Sequence, residues 1–404
     1  MSPKKKLSKL DAALLSAVEK SNAKAVARHL AEGASPDTRD DQGYPVLHTA
    51  CSENDLDIVR LLLDAGADVN GLDAESAIPL GFATAHPGAE AVELVKLLID
   101  KGSDVNHAWK DEAGSTVLTD LLDPENNDEP SAKLLELLLR AGANPNKPNA
   151  RGWYPLHVAA RLEDPKFVTL LLDAGADPKA ASQGGYYPID TASFRGNTRV
   201  MKRLLAGGSP TLEQATKNRA ESVWKRMGAW AARHNKTYAK GLKNTRPATE
   251  ARVTALEKAL DSELPLDFRT FLLRFGGGTP PGKPGVSIAE YEVLPVEQIL
   301  SRWKGLRDLV EKGTFKKATP HELSKSQKKV KWTWWHPGWV PFAEDGGGNL
   351  KCVDLEPGPE GTRGQVIGWE IHGGPLRPYA PSMEEFLEHY LEDLESGRIE
   401  LQED

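Results

Sequence analysis

Apolar positions along this chain follow two regimes. From residue 10 to 210 they recur at helical spacing, in leucine-rich runs such as IVRLLL (58–63), LVKLLI (94–99), LLELLL (134–139) and FVTLLL (167–172). Each run ends in a related turn: AEGASPD, DAGADVN, DKGSDVN, RAGANPN, DAGADPK and AGGSP. The turn glycines, Gly33, Gly66, Gly102, Gly142, Gly175 and Gly208, are separated by 33, 36, 40, 33 and 33 residues. Glycine just past a helix end fits a left-handed cap, which a β-carbon would make costly. A second signature opens a shorter helix in each period: GYPVLHTAC (43–51), GWYPLHVAA (152–160) and GYYPIDTAS (185–193), with weaker copies AIPLGFAT (77–84) and STVLTDLL (115–122). Proline at a first helical position has its φ already set and gives up an amide that would lack a partner. After residue 275 the pattern changes to strand-like alternation, in VSIAEYEVLP, WVPFAED, LKCVDL and GQVIGWEI, separated by glycine and proline turns.

The first regime resembles the ankyrin repeat, with its Thr-Pro-Leu-His opening, two helices and a Gly-Ala turn near period 33. The match covers residues 10–210, as about five repeats plus caps, the caps falling at 10–37 and 183–210. The resemblance implies an all-α solenoid with a concave side. It also implies that His48 and His157, at the signature histidine position, are structural. Asp190, Gly81 and Thr119 replace them in other repeats. Segments 84–90 and 123–131 lengthen two intervals, and such loops are often part of a solenoid's binding face. Trp109 lies at a hairpin tip, HAWKDE, where a solvated turn is expected. It is an anchor candidate for a protein partner, with packing on the neighbouring tip as the alternative. Lys110, Arg151, Trp153 and Arg161 complete the partner-binding candidates of this half.

Residues 248–275 read as two amphipathic helices broken at Leu264-Pro265, and SMEEFLEHYLEDLESG as a closing helix with Ser382 as N-cap. Helices, strands and a last helix indicate an α+β domain with a mainly antiparallel sheet. The run DFRTFLLRFGGG, then WWHPGWVPFAEDGGGN, CVDLEPGPEGTRGQVIGW and the closing helix are similar to the SUKH superfamily. That fold is shared by a yeast cell-wall-synthesis regulator and many bacterial immunity proteins. The likeness spans 250–398 and departs from the family at a basic insertion, 312–331. It implies no catalysis; bacterial members typically neutralise a toxin, often a nuclease. Trp332, Trp334, Trp335 and Trp339 cluster beside His336, and alternate members can face inward or outward. Trp334, Trp335, His336 and Asp345 are the candidate contacts of this half. Asp345, Asn349 and Asp354 are oxygen donors, but their spacing is not that of a calcium loop, and the glycines Gly346 to Gly348 favour turn chemistry.

Charge divides the chain again. Residues 1–210 hold 23 Lys+Arg against 30 Asp+Glu; residues 211–247 hold 9 against 2; residues 248–404 hold 19 against 26. The net charge is -7. The domain reading is therefore 1–210 for the ankyrin domain, 211–247 for a basic helical linker and 248–404 for the SUKH domain. Basic residues among Trp224 and Trp230 could serve a nucleic-acid backbone, but a helix docked on an acidic domain is the favoured reading. Two cysteines, Cys51 and Cys352, exclude a disulfide framework and a thiolate metal site. With no secretory leader or membrane run, a cytoplasmic location is expected.

No phosphate loop, nucleophile elbow or His-Glu-x-x-His pair occurs; His321-Glu322 is followed by Leu-Ser-Lys. No enzyme, cofactor or metal site is expected. The function this sequence points to is a bacterial immunity protein that binds and occludes a protein partner. An acidic binder suits a basic toxin such as a nuclease. The rival reading is an ankyrin and SUKH scaffold or adaptor that brings client proteins together.

Overall fold

The computed structural model describes residues 7–85, 90–110, 114–125, 130–314, 328–331 and 333–401. The chain divides into two compact units, residues 1–215 and 216–404.

The first unit is a stack of helix pairs: α1 (Lys9–Glu19) with α2 (Ala23–Ala31), α3 (Val46–Ser52) with α4 (Leu56–Asp64), and α5 (Pro79–Ala85) with α6 (Ala91–Asp100). There follow α7 (Val117–Leu122) with α8 (Ala132–Arg140), α9 (Pro155–Ala159) with α10 (Pro165–Asp173), and α11 (Pro188–Phe194) with α12 (Thr198–Ala206). One continuous apolar core runs through it, from Leu14 past Leu62, Leu98, Leu138 and Leu171 to Leu204. No pair buries its own apolar face, so each repeat depends on its neighbours. Gly142 and Gly175 adopt φ of +90° and +86°, as the left-handed cap requires. The 84–90 and 123–131 insertions lie partly outside the described residues, at 86–89 and 126–129.

A side-chain ladder joins the repeats. The amide of Asp68 donates to Asp37 Oδ1 (2.8 Å), that of Asp104 to Asn70 Oδ1 (2.8 Å), that of Asn144 to Asn106 Oδ1 (2.7 Å) and that of Asp177 to Asn146 Oδ1 (2.8 Å). The carboxamides of Asn70, Asn106 and Asn146 donate in turn to the carbonyls of Gly102, Gly142 and Gly175 at 2.9–3.0 Å. This explains the recurring Asn at the end of the turn signature: it ties each exposed tip to the next through that tip's backbone.

The second unit begins within α13 (Leu212–His234) and continues with α14 (Lys236–Asn244), α15 (Glu250–Leu260) and α16 (Leu266–Phe275). Then come β1 (Ser287–Ile288), β2 (Tyr291–Val293), α17 (Val296–Glu311), β3 (Trp339–Glu344), β4 (Leu350–Asp354), β5 (Gln365–Glu370), β6 (Gly374–Ala380) and α18 (Met383–Glu395). The six strands form an antiparallel meander in chain order. Strands β3, β4 and β5 are buried on both faces. Val340, Phe342, Val353 and Val366 join the main core with Phe268, Phe271 and Leu391. Trp339, Leu350, Cys352, Ile367 and Trp369 face a smaller core with Trp303 of α17. Of the basic insertion 312–331, residues 315–327 lie outside the described residues, as do His321-Glu322 and Trp332.

The basic segment 211–247 is not a free linker. Val223, Met227, Ala231, Tyr238 and Leu242 are part of the second unit's main core, and Trp224 packs edge-on to Phe275 at 5.5 Å. Its cations meet the acidic closing helix: Arg219 pairs with Glu384, and Arg226 with Glu388 (2.9 Å) and Glu395 (3.0 Å). The alternation of basic and acidic stretches thus encodes pairing within one unit, where composition suggested separate units.

Candidate protein-docking site

The signature histidines are structural. His48 Nε2 donates to the Ala77 carbonyl (3.1 Å) and His157 Nε2 to the Tyr186 carbonyl (2.8 Å), each reaching the tip of the next repeat. Burial pushes His157 down to about 4 and lowers His48, so both imidazoles are neutral near pH 7. Thr119 and Asp190 serve their own turns, accepting from the amides of Thr116 (2.8 Å) and Tyr187 (2.8 Å). Between pH 6.5 and about 4 the unfolded chain binds a proton at His157 that the folded chain refuses. The solenoid should therefore lose stability as pH falls through that window, and His157→Gln should flatten the loss. Urea unfolding across that range, read by hydrogen exchange of residues 155–190, checks this.

Gly81 takes the histidine position in the second repeat, and its missing side chain decides where Trp109 goes. A β-carbon at 81 would stand 3.1 Å from Trp109 Cη2. The indole fills this space and is 8% exposed. Of the two readings of Trp109, the exposed anchor is corrected and packing holds: the ring fills the space beside Gly81, where other repeats have an imidazole.

Above that indole lies a cleft of about 530 Å³, bounded by Tyr44, Phe82 and Trp109, with Ala77, Gly81 and Ala85 as small residues and Asp73, Glu75, Asp120 and Glu125 as carboxylates. Phe82 stands nearly perpendicular to Tyr44 (centroids 6.2 Å, 83°) and packs on His48 at 5.0 Å. At the next repeats Arg161 bridges to Asp123 (3.0 Å) and Glu125 (2.7 Å). Further along, Trp153 is half-buried beside His157, and Tyr186 lies 6.0 Å from Phe194. Phe194 is 76% exposed, the most open of the large apolar side chains among the described residues. Arg151, Lys110 and Arg195 are exposed. The structure thus places Arg151 and Trp153 at one opening turn, while Arg161 is held by Asp123 and Glu125. Tyr44, Phe82, Tyr186 and Phe194 were missed from the sequence. The signal for Tyr44 and Tyr186 was an aromatic before the proline turn, recurring at positions 44, 153 and 186.

The candidates of the second unit hold the fold. Trp335 is 1% exposed and packs edge-on against Trp339 (5.7 Å) and Trp369 (5.5 Å). Its expected role as a contact is corrected: it is core, because the segment before β3 folds over the outer face of the sheet. Trp334 is half-buried, and its carbonyl accepts from the Trp369 indole (2.6 Å). His336 Nδ1 accepts from the Gly338 amide (3.0 Å); burial and then the nearby Lys331 ammonium lower its pKa, keeping the ring neutral. Asp345 builds a turn, accepting from the Gly347 (2.8 Å) and Asn349 (3.0 Å) amides and the Asn349 carboxamide (2.7 Å). Desolvation works upward on its carboxyl, but these hydrogen bonds outweigh it and the pKa is lowered. Asp354 is fully buried; burial pushes it up to about 6 against the opposing bond from Gln365 (2.9 Å). Both cysteines are buried, and burial raises their thiols. Among the described residues no group of three or more His, Cys, Asp or Glu could hold a metal ion, and no helix is long and apolar enough to cross a membrane.

Comparison with known proteins agrees with this architecture. The chain matches the model of the SMI1 / KNR4 family (SUKH-1) over residues 247–389, and that of ankyrin repeats over residues 14–108 and 126–214. The cell wall biosynthesis/cell cycle regulator smi1 of Schizosaccharomyces pombe is 29% identical, covering 52% of this chain and 42% of that protein. A KNR4/SMI1 homolog of Yarrowia lipolytica is 27% identical, over 45% of this chain and 31% of that protein. The chain thus spans less than half the length of these relatives. A solved structure of the Bd0816 predatory endopeptidase of Bdellovibrio bacteriovorus with immunity protein Bd3460 is 25% identical, covering 50% of this chain and 99% of the matched one, with a TM-score of 0.41.

Proposed function

We propose that this chain, which joins ankyrin repeats to an SMI1/KNR4 (SUKH-1) domain, is a non-catalytic binder that neutralises a protein partner by covering its working surface. The observation that carries this reading is the set of partly open aromatics on the solenoid: Tyr44 and Phe82 line a cleft with carboxylates, Tyr186 pairs with the exposed Phe194, and Trp153 lies two residues from the exposed Arg151. Exposed aromatics flanked by charge are the composition of interface anchors. The candidate partner is a basic toxin such as a nuclease, because a chain of net charge -7 accelerates its association by complementary fields. A second reading, an adaptor that brings clients together, draws on the relatives named as regulators.

Co-expression with nuclease toxins encoded beside its gene, scoring survival and isolating the complex, tests the reading. Rescue with a stable complex is expected. Phe194→Ala or Trp153→Ala should weaken it about 30-fold, or about 2 kcal/mol, mainly through faster dissociation. Rescue without a complex would overturn occlusion, and a complex without rescue would favour the adaptor.

A further inference from the structure

We infer that Lys351, Tyr291 and Tyr379 form a site on the sheet of the second unit that binds a single carboxylate group. This goes beyond the reading above, whose observations lie on the solenoid, and does not rest on it. Lys351 of β4 stands opposite Ala343 of β3 and Gly368 of β5, so it has small neighbours on both sides, and it is 6% exposed. Its ammonium is 3.7 Å from the centre of the Tyr379 ring and 4.3 Å from that of Tyr291. Gly368 makes the first approach possible: a β-carbon there would stand 3.0 Å from both Cε2 and Oη of Tyr379, so the phenol of β6 crosses β5 where no side chain blocks it. The two rings offset part of the hydration that the ammonium loses. Among the described residues, however, no acceptor takes an N–H of Lys351, and neither tyrosine hydroxyl has a hydrogen-bond partner. A lysine this buried is rarely left so, because an unmet donor carries its full desolvation cost. Burial first, and then the Tyr379 phenol and the carboxylates of Asp345, Glu370 and Glu290, raise the Tyr291 pKa, so its hydroxyl remains a donor near pH 7. The cage thus presents one cation and two hydroxyls without an acceptor. A carboxylate answers all three, since its two oxygens accept from an ammonium and from hydroxyls together. Charge decides against a phosphate. Exposed Glu290 and Glu370 act on Tyr291 from the rim, while Asp345 is held by its own turn. The ammonium in the cage matches one negative charge, and a second would face Glu290 and Glu370. The same rim favours a carboxylate with cations beside it in its own chain, such as a glutamate between lysines.

The probes are the tripeptides acetyl-Lys-Glu-Lys-amide and acetyl-Lys-Gln-Lys-amide, the single residue N-acetylglutamate amide, and inorganic phosphate, each added to the full chain. Titration affinity and the amide shifts of Lys351, Gly368 and Tyr379 are the readouts. The glutamate tripeptide is expected to shift these amides, and the glutamine tripeptide to bind at least about tenfold more weakly. Lys351→Met keeps the stem and removes the charge, so it should weaken the glutamate tripeptide at least about tenfold, while Lys304→Met on α17 should not. Tyr379→Phe keeps the ring beside the ammonium and loses only the hydroxyl. A loss of about fivefold is expected there, and this variant carries the test if Lys351→Met fails to fold. Three results would each overturn the site: equal binding of the two tripeptides, phosphate displacing the glutamate tripeptide at equal concentration, or unchanged affinity in Lys351→Met and Tyr379→Phe. N-acetylglutamate amide binding much more weakly than the glutamate tripeptide would assign the carboxylate to a protein segment. Equal binding of these two would assign it to a free compound, and the site stands in both cases.

Discussion

Glu384→Ala should cost the second unit about 3–5 kcal/mol, the range found when one member of a buried ion pair is deleted. Arg219 rises from α13 and is 6% exposed. Its guanidinium grips Glu384 through Nε and Nη2, the latter 3.1 Å from Oε2, and Nη2 also reaches Thr216 Oγ1 at 3.3 Å. Glu384 stands in the first turn of α18, where the helix dipole favours its charge, and its amide donates to Asp267 Oδ2 (3.1 Å). Alanine would take the Glu384 carboxylate from a buried guanidinium, and the desolvation it no longer offsets, more than the lost attraction, sets the size of the effect. The double variant Arg219→Met, Glu384→Met removes both charges and should recover most of the loss. Arg226→Ala is the contrast: that side chain is 44% exposed between Glu388 and Glu395, so at most about 1 kcal/mol is expected. Urea unfolding of the four chains checks the order. A single variant no worse than Arg226→Ala would show that water reaches the pair.

Gly277→Ala is expected to cost about 3 kcal/mol or more, because the new methyl group has no side chain to push aside, only backbone. It would overlap the Pro247 carbonyl oxygen and stand 2.7 Å from its carbon and 2.8 Å from the Arg246 oxygen. The two segments cannot separate without breaking hydrogen bonds: the Gly277 amide donates to the Arg246 carbonyl (2.9 Å), and the Arg246 amide to the Gly278 carbonyl (2.9 Å). Gly282→Ala serves as comparison. It has φ of +73° with open space around it, so only backbone strain of about 1 kcal/mol is expected. Thermal unfolding of the two variants separates close approach from strain. A Gly277→Ala chain as stable as Gly282→Ala would show that the 246–248 segment yields easily.

Local features were legible in the sequence where cause and effect lie within one period. The turn glycines, the leucine spacing and the Leu264-Pro265 break each act through neighbours a few residues away, and Asp345 closes its own turn. What escaped needed a partner that sequence distance hides. Trp109 looked exposed because its tip looked solvated, although Gly81, some 28 residues earlier, had vacated the room it occupies. Docking of 211–247 on an acidic domain was legible in its charge, but not which carboxylates it meets, because they lie more than 160 positions downstream. Asn70, Asn106 and Asn146 looked like turn residues, while their second role is to the repeat that follows.

That last role gives the solenoid a polarity. Each carboxamide reaches only forward, and at the fifth repeat the corresponding residue is Lys179, which offers no acceptor. The stack therefore behaves like a zip fastened from one side, whose final tooth is missing. Opening the stack at Asn106 must release both the repeat it holds and the one that holds it. What holds the last helix pair is of another kind: the Asn197 carboxamide reaches back to the Leu162 (3.0 Å) and Glu163 (3.1 Å) carbonyls, and Arg203 to Asp173 (3.2 Å).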